Sequence, residues 1–446
     1  MSFETSKISI ITYVKNGSSY IKRCIESVLS QSLENFEYLI VDGGSTDGTL
    51  EIIRSYAQKD SRIRILYAEG SVGKQFNYAL KQAKSNYIGI VESDDYIPTE
   101  MYQEEYNICK AYDLDMLKAD FFRFCTISNE ELKLHVNLSM NEGLYGRVLN
   151  EMDRKAYLRA GVYGIWSGLY RRDFLLDSNI FMNETPGASY QDVSFQFLAT
   201  VYAKKFMFLH DAYYHYRVDN ASSSMRSPSV VEKALTEYMM LKERLIQSGK
   251  WEEYKEIWLN ACLNFCVHCG LELKQTSYYN KAVELSKKIE QEIIEGKFTY
   301  SELSPKNKEY VDLILRGDDG LASKIKEETE KWNYNLEGLK ALNKQSKAYI
   351  FGAGNLGELV MKYLSLRGLS IVAFVDNDSK KWGNMLNEKE IISPNNLKVN
   401  DDSTVIICNE THGKDILEQL KKMGIHEKRI LLINRYESII REIVEQ

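Results

Sequence analysis

Three carboxylates follow a short apolar stretch early in the chain. Residues Tyr87–Val91 have the length and composition of a buried parallel strand, and Glu92, Asp94 and Asp95 come directly after it. Such a group of acids repels itself unless a proton or a cation joins it. Oxygen ligands at a strand end favour a divalent ion bridged to a diphosphate. The alternative is an acidic turn in which aspartate caps a helix that begins near Pro98.

The elements around this stretch predict a parallel sheet. Apolar strands alternate with amphipathic helices through the first ninety residues or so, which is typical of strands joined by right-handed crossovers. The three strands predicted before Tyr87–Val91 are Lys7–Thr12, Phe36–Val41 and Ile63–Tyr67.

In such a sheet, the carboxyl ends of the first, second and fourth strands border one crevice. Thr12, Asp42 and the strand-end acids should therefore converge. Asp42 could accept hydrogen bonds from a base or ribose, and Asp94 with Asp95 could hold ribose and a metal-bound diphosphate. The polar run after Asp42, through Gly48, is also what an ordinary surface turn would contain.

The order of these motifs resembles family 2 glycosyltransferases, which have the GT-A fold and transfer a sugar from a nucleotide donor with inversion. The resemblance covers about the first 225 residues, half of the chain. It is carried by separated motifs in the right order, namely Ile8–Thr12, Asn16-Gly17, Ser27–Gln31, Glu37, Val41–Thr49, Asn77, Ala83, Tyr87-Ile88 and Ser93-Asp94-Asp95.

The resemblance implies a donor site and a metal site. Asp42 would contact uracil, while Asp94 and Asp95 would bind ribose and Mn²⁺ or Mg²⁺, with both aspartates as metal ligands. The sequence departs from the family at Glu92-Ser93-Asp94, where Asp-x-Asp is frequent, and at Glu69–Gly73, where Asp-x-Gly is usual. The donor-nucleotide contacts predicted in this way are Thr12, Tyr13, Asn16, Asp42, Asn77, Asp94 and Arg217.

Asp192 is the predicted catalytic base. It lies in Tyr190-Gln191-Asp192-Val193, where family members commonly have Glu-Asp at the start of a helix on the acceptor side. Its carboxylate would take the proton of the acceptor hydroxyl. The alternative role of Asp192 is helix capping. Arg217, in Tyr214–Arg217, is a candidate partner of the diphosphate or else a surface arginine, and His215 is predicted to be structural.

Composition narrows the function classes. The 446 residues carry a formal net charge of −6, which argues against a nucleic-acid binder. The sequence pattern contains neither an apolar run long enough to span a membrane nor a signal peptide. Seven cysteines in a chain of this size suggest reduced thiols in the cytoplasm. Cys262, Cys266 and Cys269 match an iron–sulfur spacing, but their helical context favours buried apolar packing.

The last hundred residues or so begin a new α/β pattern. A predicted strand, Ala348–Phe351, leads into Gly352-Ala353-Gly354-Asn355-Leu356-Gly357 and a helix. A second strand then ends at Asp376, which completes a dinucleotide-binding fingerprint. The segment resembles small Rossmann-like domains of bacterial surface-polysaccharide enzymes. Either it binds a nucleotide through Gly352, Gly354, Gly357 and Asp376, or it serves only packing or dimerisation.

These patterns predict an α/β protein with a GT-A domain at 1–227, a helical region at 228–345 and a Rossmann-like domain at 346–446. The predicted activity is metal-dependent transfer from a UDP-sugar to a hydroxyl of a surface glycan, free or lipid-linked, at the inner face of the cell membrane. Peripheral membrane association and homo-oligomers are left open. The alternatives are an NAD(P)-linked sugar-nucleotide oxidoreductase or epimerase, and a non-catalytic assembly protein with a degenerate site.

Overall fold

The computed structural model describes most of the chain. The described residues are 6–127, 130–139, 141–160, 164–188, 190–220, 230–272, 284, 287, 291–299, 301, 303–315, 320–397, 403–409, 412–434 and 439–440. By backbone contacts the chain divides into two compact units. The first comprises 1–123, 135–269 and 277–318, and the second comprises 124–134, 270–276 and 319–446. The domain boundaries predicted from sequence stay predictions.

The first unit is built from alternating strands and helices, followed by longer helices. Its strands, of which β5 and β6 extend into the second unit, are β1 Ile8–Val14, β2 Phe36–Asp42, β3 Ile63–Tyr67, β4 Tyr87–Ile90, β5 Met116–Ile127, β6 Glu130–Val136, β7 Gly168–Arg171 and β8 Phe206–Arg217. Its helices are α1 Ile21–Leu29, α2 Thr49–Ala57, α3 Val72–Gln82, α4 Met101–Tyr112, α5 Glu151–Ala160, α6 Arg172–Asp177, α7 Gln191–Tyr202, α8 Val230–Gln247, α9 Trp251–Glu272, which also extends past the unit, and α10 Pro305–Leu315.

The central strands run in the order β3-β2-β1-β4-β7-β5, and β8 also pairs with β5. The first four strands are parallel, whereas β7 pairs antiparallel with β4 and with β5. Every residue of β1, β2 and β4 is buried, as expected for parallel strands covered on both faces. The parallel order places the carboxyl ends of β1, β2 and β4 side by side, at the edge of the sheet where the crevice was predicted.

Strand β1 extends two residues beyond its predicted end. Tyr13 and Val14 pair in register with Val41 and Asp42 of β2, so the strand continues past Thr12. Thr12 therefore lies inside the strand, and its hydroxyl donates to the carbonyl oxygen of Val91 at 2.7 Å. This side chain joins two strands in the core and does not reach the crevice as predicted.

The second unit contains its own sheet. Its elements are α11 Gly320–Ala341, β9 Lys347–Phe351, α12 Asn355–Leu366, β10 Ile371–Val375, β11 Met385–Leu386, β12 Lys389–Ile392, β13 Ser403–Cys408, α13 Gly413–Lys422 and β14 Ile430–Ile433. The strand order is β11-β12-β10-β9-β13-β14, parallel except where β11 meets β12. The strands predicted from sequence near 348, 370 and 405 are all present in this sheet.

Helix α3 is packed unusually closely against the segment that precedes α7. A Cβ added to Gly73 would lie 2.0 Å from the carbonyl oxygen of Asn183, and the side chain of Asn77 is hydrogen-bonded to both backbone groups of Met182. A backbone atom cannot move aside as easily as the end of a flexible side chain. Gly73 is thus required for the two segments to meet.

Gly73→Ala should therefore destabilise the first unit by about 1–3 kcal/mol, because the added methyl group forces α3 away from Asn183. Thermal unfolding followed by circular dichroism would measure the loss. Gly143→Ala is the matched control, since the nearest atom to its added Cβ is a side-chain oxygen of Asn141 at 3.2 Å. Equal melting temperatures for the two variants would contradict the packing argument.

Candidate functional site: a carboxylate cluster at the strand ends

The three acids after β4 form a compact group. One carboxylate oxygen from each of Glu92, Asp94 and Asp95 lies within 4.8 Å of the others, and no other group of three or more such ligand side chains in the described ranges meets this spacing. Asp95 is buried, while Glu92 and Asp94 are partly exposed. Glu92 is part of this group together with the two predicted metal ligands, Asp94 and Asp95, whose role as ligands stays a prediction.

Like charge at this spacing makes ionisation costly. Desolvation raises the pKa of all three carboxyls, and the charge of Asp94 further raises the pKa of Glu92 and of Asp95. A bound cation would relieve this repulsion, because it supplies the opposite charge that the carboxylates lack. The all-oxygen donor set suits a hard divalent ion such as Mg²⁺ or Mn²⁺.

Strand β8 holds the acids in place. The hydroxyl of Tyr214 donates to Asp95 Oδ2 at 2.7 Å and accepts from the backbone N–H of Glu92 at 2.9 Å. The backbone N–H of Arg217 donates to Asp95 Oδ1 at 2.7 Å, and its guanidinium donates to the carbonyl oxygen of Asp94 at 3.0 Å. After the strand, Asn220 donates to Asp94 Oδ2 at 2.7 Å.

Arg217 thus lies beside the acids, and its guanidinium also pairs with Asp219 at 2.9 Å. Its contact with the donor diphosphate stays a prediction. The contribution of Tyr214 and Asn220 was missed from sequence. The available signal was the Tyr-His-Tyr-Arg strand end, in which alternate residues share a face. His215 points the other way and stacks on Tyr96 with ring centroids 4.2 Å apart.

The loops after β1 and β2 are hydrogen-bonded to each other. Asn16 adopts a left-handed conformation with φ 58°, and its side chain accepts from the backbone N–H of Thr46 at 2.8 Å. Asp42 is 3% exposed and accepts from the backbone N–H groups of Gly44 and Ser45. Both predicted donor contacts therefore lie at the crevice, where they also shape the loops that line it.

Tyr13 connects this edge to the acids. Its hydroxyl donates to Glu92 Oε1 at 3.0 Å, and its ring is buried. Asn77, by contrast, lies on α3 with its amide bonded to Met182 and Glu184. The predicted donor contact of Asn77 is therefore corrected to a positioning role, because its donors and acceptor are engaged by the segment leading to α7.

Asp192 lies in the first turn of α7. Desolvation raises the pKa of its carboxyl to about 6, against backbone hydrogen bonds at the helix start that lower it, and the charge of Glu237 adds to the rise. The charge of Asp192 in turn contributes, after desolvation and Asp94, to the raised pKa of Glu92. Asp192 is therefore close enough to the acid cluster to interact with it electrostatically.

Buried polar contacts fix the segment before Asp192. Gln191 is 3% exposed and donates to the carbonyl oxygens of Thr185 and Gly187, each at 3.2 Å. A glutamate could not make these donations, which accounts for glutamine where the family commonly has glutamate. From α8, the buried carboxylate of Glu237 accepts from Asn183 at 2.7 Å and from Thr185 at 2.6 Å.

The glycine-rich turn of the second unit is closely packed. A Cβ on Gly352 would lie 2.4 Å from the carbonyl oxygen of Cys408, and one on Gly357 would lie 2.1 Å from that of Gly352. Asp376 Oδ2 accepts from the backbone N–H of Ala353 at 3.0 Å and from Lys381 at 2.9 Å. Gly354, in contrast, has open space around it. The nucleotide predicted here stays a prediction.

Two sequence predictions fall partly outside the described residues. Cys262 is buried in α9, but the side chains of Cys266 and Cys269 are not described. The serine run 222–224, which follows β8, also lies outside the described residues. No helix in the described ranges is both long enough and apolar enough to cross a bilayer.

Comparison with known proteins finds a matching family model in each unit. Residues 9–172 match the model of glycosyl transferase family 2, and residues 344–431 match the model described as C2185-like, N-terminal. The uncharacterized glycosyltransferase EpsJ of Bacillus subtilis is 29% identical over 222 residues, which is 50% of this chain and 63% of EpsJ. Glycosyltransferase GlyG of Streptococcus pneumoniae is 32% identical over 119 residues, 26% of this chain and 40% of GlyG. The chain thus spans less than two thirds of either relative.

A solved structure shares the fold. The crystal structure of S. aureus TarS 1-349 in complex with UDP-GlcNAc superposes with a TM-score of 0.54 and 21% identity, covering 74% of this chain and 92% of that one. The first unit therefore has a GT-A-like fold, and residues 9–172 within it match the model of glycosyl transferase family 2.

Proposed function

We propose that the protein is a metal-dependent, inverting glycosyltransferase that moves a sugar from a UDP-sugar to a hydroxyl group of a surface glycan. The observation that carries this proposal is the grouping of Glu92, Asp94 and Asp95 at the carboxyl end of β4, beside the crevice bordered by Asp42. Family membership of the domain supports glycosyl transfer. Donor, metal, stereochemistry and acceptor belong to the proposal.

Asp94 and Asp95 would hold the cation, with Glu92 as a third oxygen ligand. When bound, the cation would neutralise charge on the diphosphate as it leaves. The chain's own part is to keep the acids in place without it: Tyr214 and the backbone of Arg217 supply hydrogen bonds to Asp95. Asp42 and the loop around Asn16 would receive the uridine.

Asp192 would act as the base. The acceptor oxygen forms a bond to the anomeric carbon while the bond from that carbon to the diphosphate breaks, and the acceptor proton passes to Asp192. A pKa of about 6 leaves this carboxyl mostly ionised at neutral pH yet more basic than an exposed aspartate. Inversion follows, because base and leaving group lie on opposite sides of the carbon.

The acceptor and the location rest on family resemblance. We place the reaction in the cytoplasm, at the inner face of the cell membrane, with a free or lipid-linked glycan as acceptor. UDP and UDP-GlcNAc are the first donor probes to use, because the TarS structure was solved with UDP-GlcNAc.

Removing one ligand of the acid cluster should weaken UDP binding only when metal is present. We expect Asp95→Asn to lower the affinity for UDP with Mn²⁺ at least about tenfold and to leave the weak binding in EDTA unchanged. Isothermal calorimetry on the full chain measures both. Asp113→Asn, which changes an exposed carboxylate that pairs with Arg171 at 2.6 Å, is the control. Equal affinity of the parent chain with Mn²⁺ and with EDTA would refute a metal-dependent donor site.

Asp192→Asn should abolish transfer and leave UDP binding nearly unchanged, because the amide cannot take the acceptor proton. In the parent chain, kcat/KM should fall about tenfold per pH unit below about 6, where Asp192 becomes protonated. Release of UDP in the presence of acceptor measures turnover. Full turnover by the asparagine variant would exclude Asp192 as the base.

Glu237→Gln should shift the acidic limb of the kcat/KM-against-pH profile to lower pH. The Glu237 carboxylate raises the pKa of Asp192, so removing its charge lowers that pKa and keeps the base ionised in more acidic solution. Glutamine keeps one oxygen that can accept from Asn183, and its amide group can donate to the Thr185 hydroxyl, which now donates to the other carboxylate oxygen. Glu292→Gln, which removes a carboxylate paired with Lys242 at 2.6 Å, should leave the limb in place. An unmoved limb in Glu237→Gln would rule out the electrostatic coupling.

A further inference from the structure

A second group of titratable side chains lies in the first unit, apart from the acid cluster. Asp120 on β5 is fully buried, and its Oδ1 accepts from the backbone N–H of Leu138 and from the hydroxyl of Tyr145, each at 2.8 Å. Its Oδ2 faces His135 Nε2 on β6 and His210 Nδ1 on β8, each at 3.4 Å. One oxygen is therefore saturated, and the other meets two imidazole nitrogens.

Both oxygen–nitrogen distances equal the spacing of two ligands on one ion, and only the His210 contact also qualifies as a hydrogen bond, a long one. A direct N–H···O bond usually spans about 2.7–3.2 Å. Tetrahedral coordination with metal–ligand bonds of about 2.0–2.1 Å separates neighbouring ligand atoms by about 3.3–3.4 Å. In addition, His135 Nε2 is buried and makes no hydrogen bond to any described residue. That nitrogen faces a carboxylate oxygen with no donor between them.

His210 is oriented from its far side. Its Nε2 lies 2.9 Å from Glu142 Oε2, and its ring stacks on Tyr145 with centroids 3.6 Å apart and planes 10° apart. A carboxylate at the remote nitrogen of histidine fixes the tautomer, which leaves the other nitrogen free to bind a metal. Here that other nitrogen is Nδ1, the one facing Asp120.

We propose that Asp120, His135 and His210 form a binding site for a divalent transition-metal ion of the zinc class, with water as the fourth ligand. Two imidazoles and one carboxylate prefer Zn²⁺ over Mg²⁺ or Mn²⁺, so the site differs in chemistry from the acid cluster. The ion would join β5, β6 and β8 and thereby stabilise the first unit.

Binding requires a small rearrangement of the His135 ring. Among the described residues, only Glu92, Asp94 and Asp95 have ligand atoms all within 4.8 Å, so the two imidazoles flank Oδ2 without yet meeting each other. The side chains of His135 and His210 are 36% and 46% exposed. The His135 ring can therefore turn toward an ion that arrives from solvent, while Glu142 and Tyr145 keep the His210 ring in place.

The test is zinc stoichiometry on the untagged full chain in the Asp95→Asn background, which weakens the acid cluster. After dialysis against buffered micromolar free Zn²⁺, we expect one zinc per chain, and loss of that zinc in His135→Gln and in His210→Gln. Zn²⁺ should also raise the melting temperature of the parent but not of either variant. Co²⁺ should give a tetrahedral visible spectrum only when both histidines are present.

His412→Gln is the matched control. His412 also faces a carboxylate, that of Asp415 at 3.5 Å, but its side chain is 69% exposed and no second histidine shares this carboxylate among the described residues. This variant should keep the zinc. A folded parent chain that binds no zinc under these conditions would overturn the proposal. Equal zinc content in the parent and in His135→Gln would overturn it as well, because the metal would then be elsewhere.

Discussion

Repulsion among three carboxylates is the constraint on which the first unit depends. Glu92, Asp94 and Asp95 have one oxygen each within 4.8 Å of the others, in surroundings that raise all three pKa values. Such a group stays together only if other elements hold it. Strand β8 does so through Tyr214 and Arg217, whose hydrogen bonds reach Asp95 and the backbone of the two other acids, which precede it. The sheet thus sets the positions of the acids. The hydrogen bonds from β8 offset the free-energy cost of holding their like charges together.

The segment before α7 is likewise held in place by hydrogen bonds and packing from other elements. The segment before α7 carries no strand of its own, so its position depends on contacts made by neighbouring helices. From α3, Gly73 and Asn77 meet the backbone at Asn183 and Met182, and from α8, Glu237 accepts from the side chains of Asn183 and Thr185. Asp192 is therefore fixed by two helices at once. This explains how the proposed base, on a separate helix, keeps a defined position relative to the acids that follow β4.

Much of this arrangement could be predicted from sequence. The periodicity and composition of the apolar residues predicted the bounds of β3 without error and those of β4 to within one residue. Short apolar runs bounded by polar turns leave few alternatives for where a strand begins and ends. The sequence did not predict which way some of the side chains point. Thr12 was predicted at the crevice but is hydrogen-bonded within the core, since β1 continues past it. Asn77 was predicted at the donor but faces Met182. Its partner lies 105 residues away in the chain, and local periodicity carries no information about such a contact.

Strand β8 also relates the two candidate metal sites of the first unit. His210, Tyr214 and Arg217 lie along the same strand, with His210 beside Asp120 and the other two beside the acid cluster. A β-strand transmits its register rigidly, because a slip of one residue turns every side chain to the opposite face. An ion held by His210 would therefore resist the slip that would remove the Tyr214 hydroxyl from Asp95. On this argument the zinc-class site would act as a positioning device for the acids, and its effect on them would pass through backbone register without any ligand in common.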